Sequence, residues 1–268
     1  EAITLLKDAA ATVIYGSEAA NGVVIVETKA PEAGKLRITY NGNYKLQIPD
    51  LRDYNLCNAE DKLLIEELAG FYDEKNNIYT SNAYKEIKQE VARGVDTYWL
   101  SKPLETAFNH RHGLTLEGGD MALRYKLYFA YNVVPGIMKE TDLTTKTGKV
   151  DLRYRFGKFL ISNQLQVDYS AGRRTSPYGS FSQYTTLNPY YRTYDEKGEL
   201  LKELGDYPYF RKPIGNPLYN TTFETRDDLT EFSLLEALKV EFVPTDNLRL
   251  SLDFSLGRTD GSMETFKP

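Results

Sequence analysis

The sequence predicts a mainly β fold: part of the wall of an antiparallel transmembrane β-barrel, with a small α/β element at its start and helical segments in one long loop. Three observations carry this. Apolar and polar residues alternate with period 2 over several segments. Several of these run to about ten residues or more, about twice the globular mode and the length a tilted strand needs to cross a bilayer. The connections between them alternate between short and long, the pattern of barrels with tight turns at one rim and large loops at the other.

The opening residues read differently from the rest. Leu5, Leu6, Ala9, Val13 and Ile14 fit one face of a helix over Thr4 to Tyr15, with Gly16 as its stop signal. Asn21 and Gly22 then turn the chain into Val23 to Val26, a β-branched run that suits a strand buried on both faces. Glu1 opens the chain in mid-pattern and without a Met, which implies that it has been cut from something longer.

Beyond Pro31 the long strands begin. Lys35 to Ile48 sets Leu36, Ile38, Tyr40, Tyr44, Leu46 and Ile48 against Arg37, Thr39, Asn41, Asn43, Lys45 and Gln47. Leu123 to Val133, Val150 to Phe156, Phe159 to Tyr169 and Leu248 to Leu256 repeat the alternation. Phe108 to Glu117 and Glu231 to Val243 are less regular, giving about seven strands in all. Gly118-Gly119-Asp120, Gly157-Lys158 and Pro244 to Asn247 supply short links. A long loop over 49–106, a modest one from Pro135 to Thr147 and a second long loop over 170–230 lie between them. Within the first long loop, Asn58 to Gly70 and Ala83 to Arg93 have the apolar spacing of short amphipathic helices. The second holds Pro177, Pro189, Pro208, Pro213 and Pro217 among many tyrosines, a composition that packs without regular structure.

Composition narrows the function. The 21 Tyr and 12 Phe against one Trp favour strands and surfaces that are apolar on one side and wet on the other. A formal net charge of -5 gives no basic stripe for phosphates, which excludes nucleic acid as a partner. The single Cys57 allows no internal disulfide and no paired-cysteine metal site, and is read as a semi-buried small residue. No apolar stretch approaches the roughly 18–20 residues of a spanning helix. Period-2 alternation by itself does not separate a soluble sandwich from a membrane barrel, since the apolar face meets a second sheet in one and lipid in the other. Strand length and the alternation of loop lengths favour the barrel.

Several blocks resemble a known family. LLKDAAATVIYGSEAANGVVIVETK, Leu5 to Lys29, is similar to the plug terminus of TonB-dependent receptors. DYNLCNAEDKLLIEELAGFY, RGVDTYWL, HRHGLTLEGGDMALRYKLYFAYN, SPYGSFSQY, LNPYYRTYDEKGEL and NPLYN look like the SusC/RagA branch, in that branch's order and over nearly the whole chain. The resemblance implies that residues 1–30 close a plug domain and that 31–268 form the first part of a barrel in the outer membrane of a Gram-negative, Bacteroidetes-like cell. It also implies partners: outer-membrane lipid, a SusD-like surface lipoprotein as lid, and the TonB complex, reached through parts outside this chain. The implied cargo is oligosaccharide or peptide, imported without catalysis. A siderophore or cobalamin receptor, and a soluble β-rich glycan-binding or glycan-cleaving domain, are the rival readings.

No nucleophile, metal-ligand or phosphate-loop motif is present, and no cofactor is expected. His110 and His112 share one side of a strand, and stacking within the strand is favoured over metal ligation. The acidic pairs Glu66-Glu67 and Asp227-Asp228 are read as solvated. Arg124, Lys126, Asp151, Arg153 and Arg155 fall on the polar faces of neighbouring strands and are expected to face the lumen, as a cross-strand charge network that holds the wall or meets the plug, ahead of a substrate role. Tyr178, Tyr184, Tyr190, Tyr191 and Tyr194, with Tyr207 and Tyr209, crowd the second long loop; they are candidates for contact with ligand or partner, with packing inside the loop as the favoured alternative.

Overall fold

The structure is a computed structural model that describes residues 2–7, 22–27, 31–73, 78–205 and 214–266. Its centre is a seven-stranded antiparallel sheet: β3 (Gly34–Gln47), β4 (Ala107–Gly119), β5 (Leu123–Pro135), β6 (Asp142–Phe156), β7 (Phe159–Arg173), β10 (Arg226–Thr245) and β11 (Leu248–Phe266). Each strand pairs with the next long strand along the chain, which is an up-and-down meander with β3 and β11 at the edges. All seven expected strands are present, but most are longer than their alternating segments. The ladder from β6 to β7 is unbroken from Asp142↔Arg173 to Phe156↔Phe159, so the expected loop from Pro135 to Thr147 shrinks to residues 136–141. Asp120 fixes the first tight turn, its Oδ1 accepting from the Ala122 and Leu123 backbone N–H groups at 2.7 Å each.

Before the sheet, β1 (Ala2–Leu6) pairs antiparallel with β2 (Val23–Glu27) in a separate ribbon. This overturns the helix expected from Thr4 onwards, at least as far as Leu6; residues 8–15 lie outside the described residues. Ile3 and Leu5 stand opposite Val26 and Val24, so a β-branched partner strand has overridden a local spacing that suits a helix equally well. Nor is β2 buried on both faces, because Val24 is 61% exposed.

The register sorts the sheet into two faces. One carries Leu36, Ile38, Leu114, Leu116, Leu127, Phe129, Leu152, Leu165, Val167, Leu234, Leu238, Leu252 and Phe254. None of its members is buried: on the edge strands Ile38 is 61% and Leu252 70% open, while Leu127, Leu165 and Leu238 in the middle are half-buried. Two aromatic rows border this band. Phe159 and Phe242 stand in register beside the tight turns, their rings stacked with centroids 4.6 Å apart. Tyr169 and Phe232 stand in register towards the loop rim, continued along the sheet by Lys146, whose Nζ lies 5.9 Å from the Tyr169 ring centroid, and then by Tyr131 and His112. The opposite face carries the polar set, from Arg37, Thr39 and Asn41 across to Asp253, Ser255 and Thr259.

At the loop rim, the two long connections fold onto each other. The first contains α1 (Ala59–Leu68) and α2 (Ile78–Ala92); the second contains α3 (Phe181–Tyr184) and the short pair β8 (Glu203–Leu204) and β9 (Ile214–Gly215). Asn58 caps α1 by accepting from the Asp61 N–H at 2.7 Å. Both longer helices stop at a glycine of positive φ, Gly70 at 73° and Gly94 at 86°. There the next residue, Phe71 or Val95, reaches back to the carbonyl of Glu66 or Glu90, a Schellman ending that only glycine adopts without strain. Ala59, Leu63, Tyr72, Ala83, Ile87, Trp99, Leu100, Tyr184, Tyr190, Tyr191, Leu204 and Leu218 form one buried cluster drawn from both loops. The apolar core of the described residues is thus in this dome, not between sheets.

Candidate functional site

Two regions bring together side chains capable of recognition: the polar face of the wall and the dome above it. On the polar face, Arg37, Glu117, Lys126 and Asp151 fall in one row across β3 to β6, with alternating charge. The Arg37 Nη2 to Glu117 Oε1 contact is 2.5 Å. Asp151 also lies among the Lys149 and Arg153 charges. Arg124 and Arg153 stand directly opposite each other, and Lys149 stands opposite Tyr128. The structure therefore gathers Arg124, Lys126, Asp151 and Arg153 on one face of β5 and β6, with Arg155 following on β6. Lys149 and Arg111, whose guanidinium donates to Tyr128 Oη at 2.8 Å, join the same surface. A hollow of about 380 Å³ lies here, lined by Thr115, Lys126, Tyr128, Lys149, Asp151 and Gln164 among others.

The dome is stitched together across the sequence. The Thr97 N–H donates to the Pro189 carbonyl at 2.7 Å, Thr97 Oγ1 to the Tyr191 carbonyl at 2.8 Å, and Trp99 Nε1 to the Asn188 carbonyl at 2.9 Å. One carboxylate, Glu90, is buried in it and a second, Glu66, is half-buried. Glu90 accepts from Arg93 at 2.9 Å and pairs with Arg192 at 2.7 Å. Glu66 receives Tyr72 Oη at 2.6 Å, Tyr190 Oη at 3.2 Å and Lys62 Nζ at 3.1 Å. Glu66 is therefore not the solvated acid expected from its place beside Glu67. Asp227 and Asp228 are engaged as well, Asp227 by the Thr175 and Thr265 hydroxyls and Asp228 by Arg173. Burial, with the neighbouring Glu66 carboxylate, pushes the Tyr72 and Tyr190 phenols far above the ordinary range.

The loop tyrosines divide accordingly. Tyr184, Tyr190 and Tyr191 are buried in the dome core, with Tyr184 Oη donating to the Tyr178 carbonyl at 2.7 Å. Tyr178 is half-buried against that core and lies 5.3 Å from Lys139 Nζ, while Tyr194 keeps 49% of its surface open. Tyr207 and Tyr209 lie outside the described residues. A groove between the loops is lined by Asn55, Cys57, Lys62, Asp96, Tyr98 and Asn188. Cys57 is exposed there, contrary to the semi-buried place expected for it, because it precedes the α1 cap on the outside of the loop. His110 and His112 sit on the apolar face with ring centroids 5.3 Å apart, and Tyr40 Oη lies 2.6 Å from His112 Nδ1. Among the described residues no cluster of metal-ligating side chains occurs, and no helix is long and apolar enough to cross a membrane.

No protein-family model matches the chain. It is similar to the TonB-dependent receptor SusC of Bacteroides thetaiotaomicron, at 30% identity over 174 residues, which is 65% of this chain and 16% of that protein. It is similar also to the TonB-dependent receptor P3 of Formosa agariphila, at 30% identity over 156 residues, 57% of this chain and 14% of the other. Among solved structures, a chain of the RagAB peptide importer in its open-open state matches with a TM-score of 0.73 at 21% identity, over 97% of this chain and 32% of that one. The closed-closed state of the same importer gives the same TM-score at 20% identity. The chain thus spans a small part of the curated relatives it matches. It shares sequence with two TonB-dependent receptors and the wall fold of the importer chain, and is similar to the SusC/RagA type of TonB-dependent receptor.

Proposed function

We propose that the chain contributes a stretch of barrel wall and two outer loops to an outer-membrane importer of oligosaccharides or peptides that is driven through TonB and lidded by a SusD-like lipoprotein. In this reading the apolar face meets lipid, the polar face with Arg124, Lys126, Asp151, Arg153 and Arg155 lines the lumen, and the loop rim faces outwards. Residues 1–30 end the plug and 31–268 carry the wall. Transport needs no bond-making in this chain.

The observation that carries the reading is the pair of aromatic rows. Phe159 and Tyr169 are ten residues apart on β7, as are Phe242 and Phe232 on β10, and the two strands hold both pairs in register. Ten residues of strand rise about 33 Å, which a tilt of about 40° converts to about 25 Å of height. That is the height of the lipid-facing band between the interfacial girdles of an outer-membrane barrel. A soluble sheet has no reason to place its aromatic residues at that spacing. The test is to fractionate cells expressing the complete gene and follow uptake of labelled oligosaccharides and peptides with and without a protonophore. Energy-dependent uptake and recovery in the outer-membrane fraction are expected. A soluble, monomeric product would refute the proposal.

A further inference from the structure

The charge on the polar wall face is not spread evenly. On β4 to β6 it holds Arg111, Arg124, Lys126, Lys149, Arg153 and Arg155 against the two acids Glu117 and Asp151. On β7, β10 and β11 the balance reverses, with Asp168, Glu231, Glu241 and Asp253 against Lys239 and Arg249. Signs alternate in the single row Arg37, Glu117, Lys126, Asp151, which takes in only Lys126 and Asp151 of the network expected from Arg124, Lys126, Asp151, Arg153 and Arg155. The flanking rows break it. Arg124 faces Arg153 in direct register, an arrangement of like charges that destabilises a strand pair unless an anion lies between them. Lys126 stands between Glu117 and Asp151, and Lys149 and Arg153 lie about the same Asp151 carboxylate.

We propose that this patch is an inner-wall subsite for an acidic oligosaccharide, whose carboxylates or sulfates the surplus cations of β5 and β6 receive. The inference rests on the importer reading above and gives its cargo a chemical class. Guanidinium pairs bind such groups through two parallel hydrogen bonds, and a lumen with low-dielectric walls concentrates ions of the opposite sign. The surroundings suit a sugar. Ser162 stands in register with Arg153 and Gln166 with Lys149, while Gln164 and Tyr128 line the hollow, so amides, hydroxyls and a ring face lie beside the charges. A peptide that binds by strand addition needs a free sheet edge, and an acidic peptide held by side chains alone is the competitor that the oligoglutamate probe tests. Here β5 and β6 are paired on both sides, which leaves no edge in the patch.

The test uses the complete receptor, purified in detergent, with oligogalacturonate, a neutral galacto-oligosaccharide of equal length and oligoglutamate of equal charge as probes. Oligogalacturonate is expected to bind best and to weaken steeply with salt. The R124Q/R153Q double variant should weaken it by about tenfold or more, and R124K/R153K, which keeps the charge without the paired hydrogen bonds, should restore part of the loss, provided that both variants reach the outer membrane as heat-modifiable barrels. Equal binding of the neutral sugar, or tighter binding of oligoglutamate, overturns the proposal. So does a vancomycin-permeable phenotype of R124Q/R153Q in cells, which would show that the cations latch the plug. If proton-motive-force-dependent uptake of any probe persists when the acidic preference is absent, the subsite fails while the importer reading stands.

Discussion

Neighbouring residues on β10 test which face of the wall meets lipid. Leu238 lies on the apolar face, four residues from Phe242 and six from Phe232, or about 10 Å and about 15 Å from the two aromatic rows once strand tilt is included. It is therefore close to mid-band. Leu238→Arg should cost about 2–4 kcal/mol, which is about 1.5 to 3 decades in the folded population. Ala237, one residue earlier, points to the polar face opposite Gln164 and Ser255, and Ala237→Arg should stay within about 0.5 kcal/mol. Leu248, at the tight-turn rim, supplies the depth control, because arginine near the interface costs only about 0–1 kcal/mol. The assay is urea titration of the complete receptor in lipid vesicles, read by tryptophan fluorescence and scored by heat-modifiable electrophoretic mobility. Equal losses for L238R and L248R would refute the lipid assignment, since a protein-packed core penalises both positions. A loss for A237R equal to that for L238R would refute the assignment of faces.

The dome makes its own predictions. Trp99→Ala removes a 3% exposed side chain and its hydrogen bond to Asn188, and should destabilise the dome by about 3–5 kcal/mol, seen as rapid limited proteolysis of both long loops with the barrel band intact. Arg192→Ala leaves the buried Glu90 with Arg93 alone; a loss of about 1–3 kcal/mol should appear in the same proteolysis assay, and no change would show that the inter-loop pair is idle. Alkali should loosen the dome. Tyr72 and Tyr190 stay protonated when folded while their unfolded phenols ionise near 10, so their contribution is complete below about pH 10 and is lost as pH rises beyond it. Protease resistance should fall above that pH together with a step in phenolate absorbance, and constant resistance to pH 12 would count against their burial.

The strands were legible because their signal is local: where one face is apolar and the other wet, every second residue reports it. Their loop-side ends were not. On β11 the apolar-face positions change from Leu256 to Arg258, Asp260, Ser262 and Glu264, and on β6 Lys146 and Thr144 precede Val150. These polar positions begin at the upper aromatic row or one step below it, with Arg258 opposite Leu234, Asp260 opposite Phe232 and Lys146 opposite Tyr169, so alternation vanishes while the ladder continues. The dome was hidden for another reason. Whether Glu66 is solvated or engaged depends on Tyr190, 124 residues away, and Trp99 becomes a core residue only when the second loop closes over it. Composition put tyrosines in that loop, but only the fold separates the buried Tyr184, Tyr190 and Tyr191 from the open Tyr194.

The same division explains why a wall can carry so elaborate a pair of loops. In a soluble domain the loops lean on a core held between layers, but among the described residues neither the apolar nor the charged face of this sheet packs against a second layer. Neither can seat Trp99 or Ile87. The loops must bury their own apolar residues, and they do so against each other, with the carboxylates of Glu66 and Glu90 held among tyrosines and arginines. Contact with the wall is narrow. The 136–141 turn meets the first loop through the Glu105 N–H to Ile137 carbonyl bond at 2.9 Å and the Lys139 N–H to Pro103 carbonyl bond at 2.9 Å, and Ser176 of the second loop bonds the Lys139 carbonyl. A dome with its own core and a narrow footing can vary in sequence without disturbing strand register. The wall, in turn, can hold an uneven charge pattern on its polar face because its strands are joined by continuous backbone ladders.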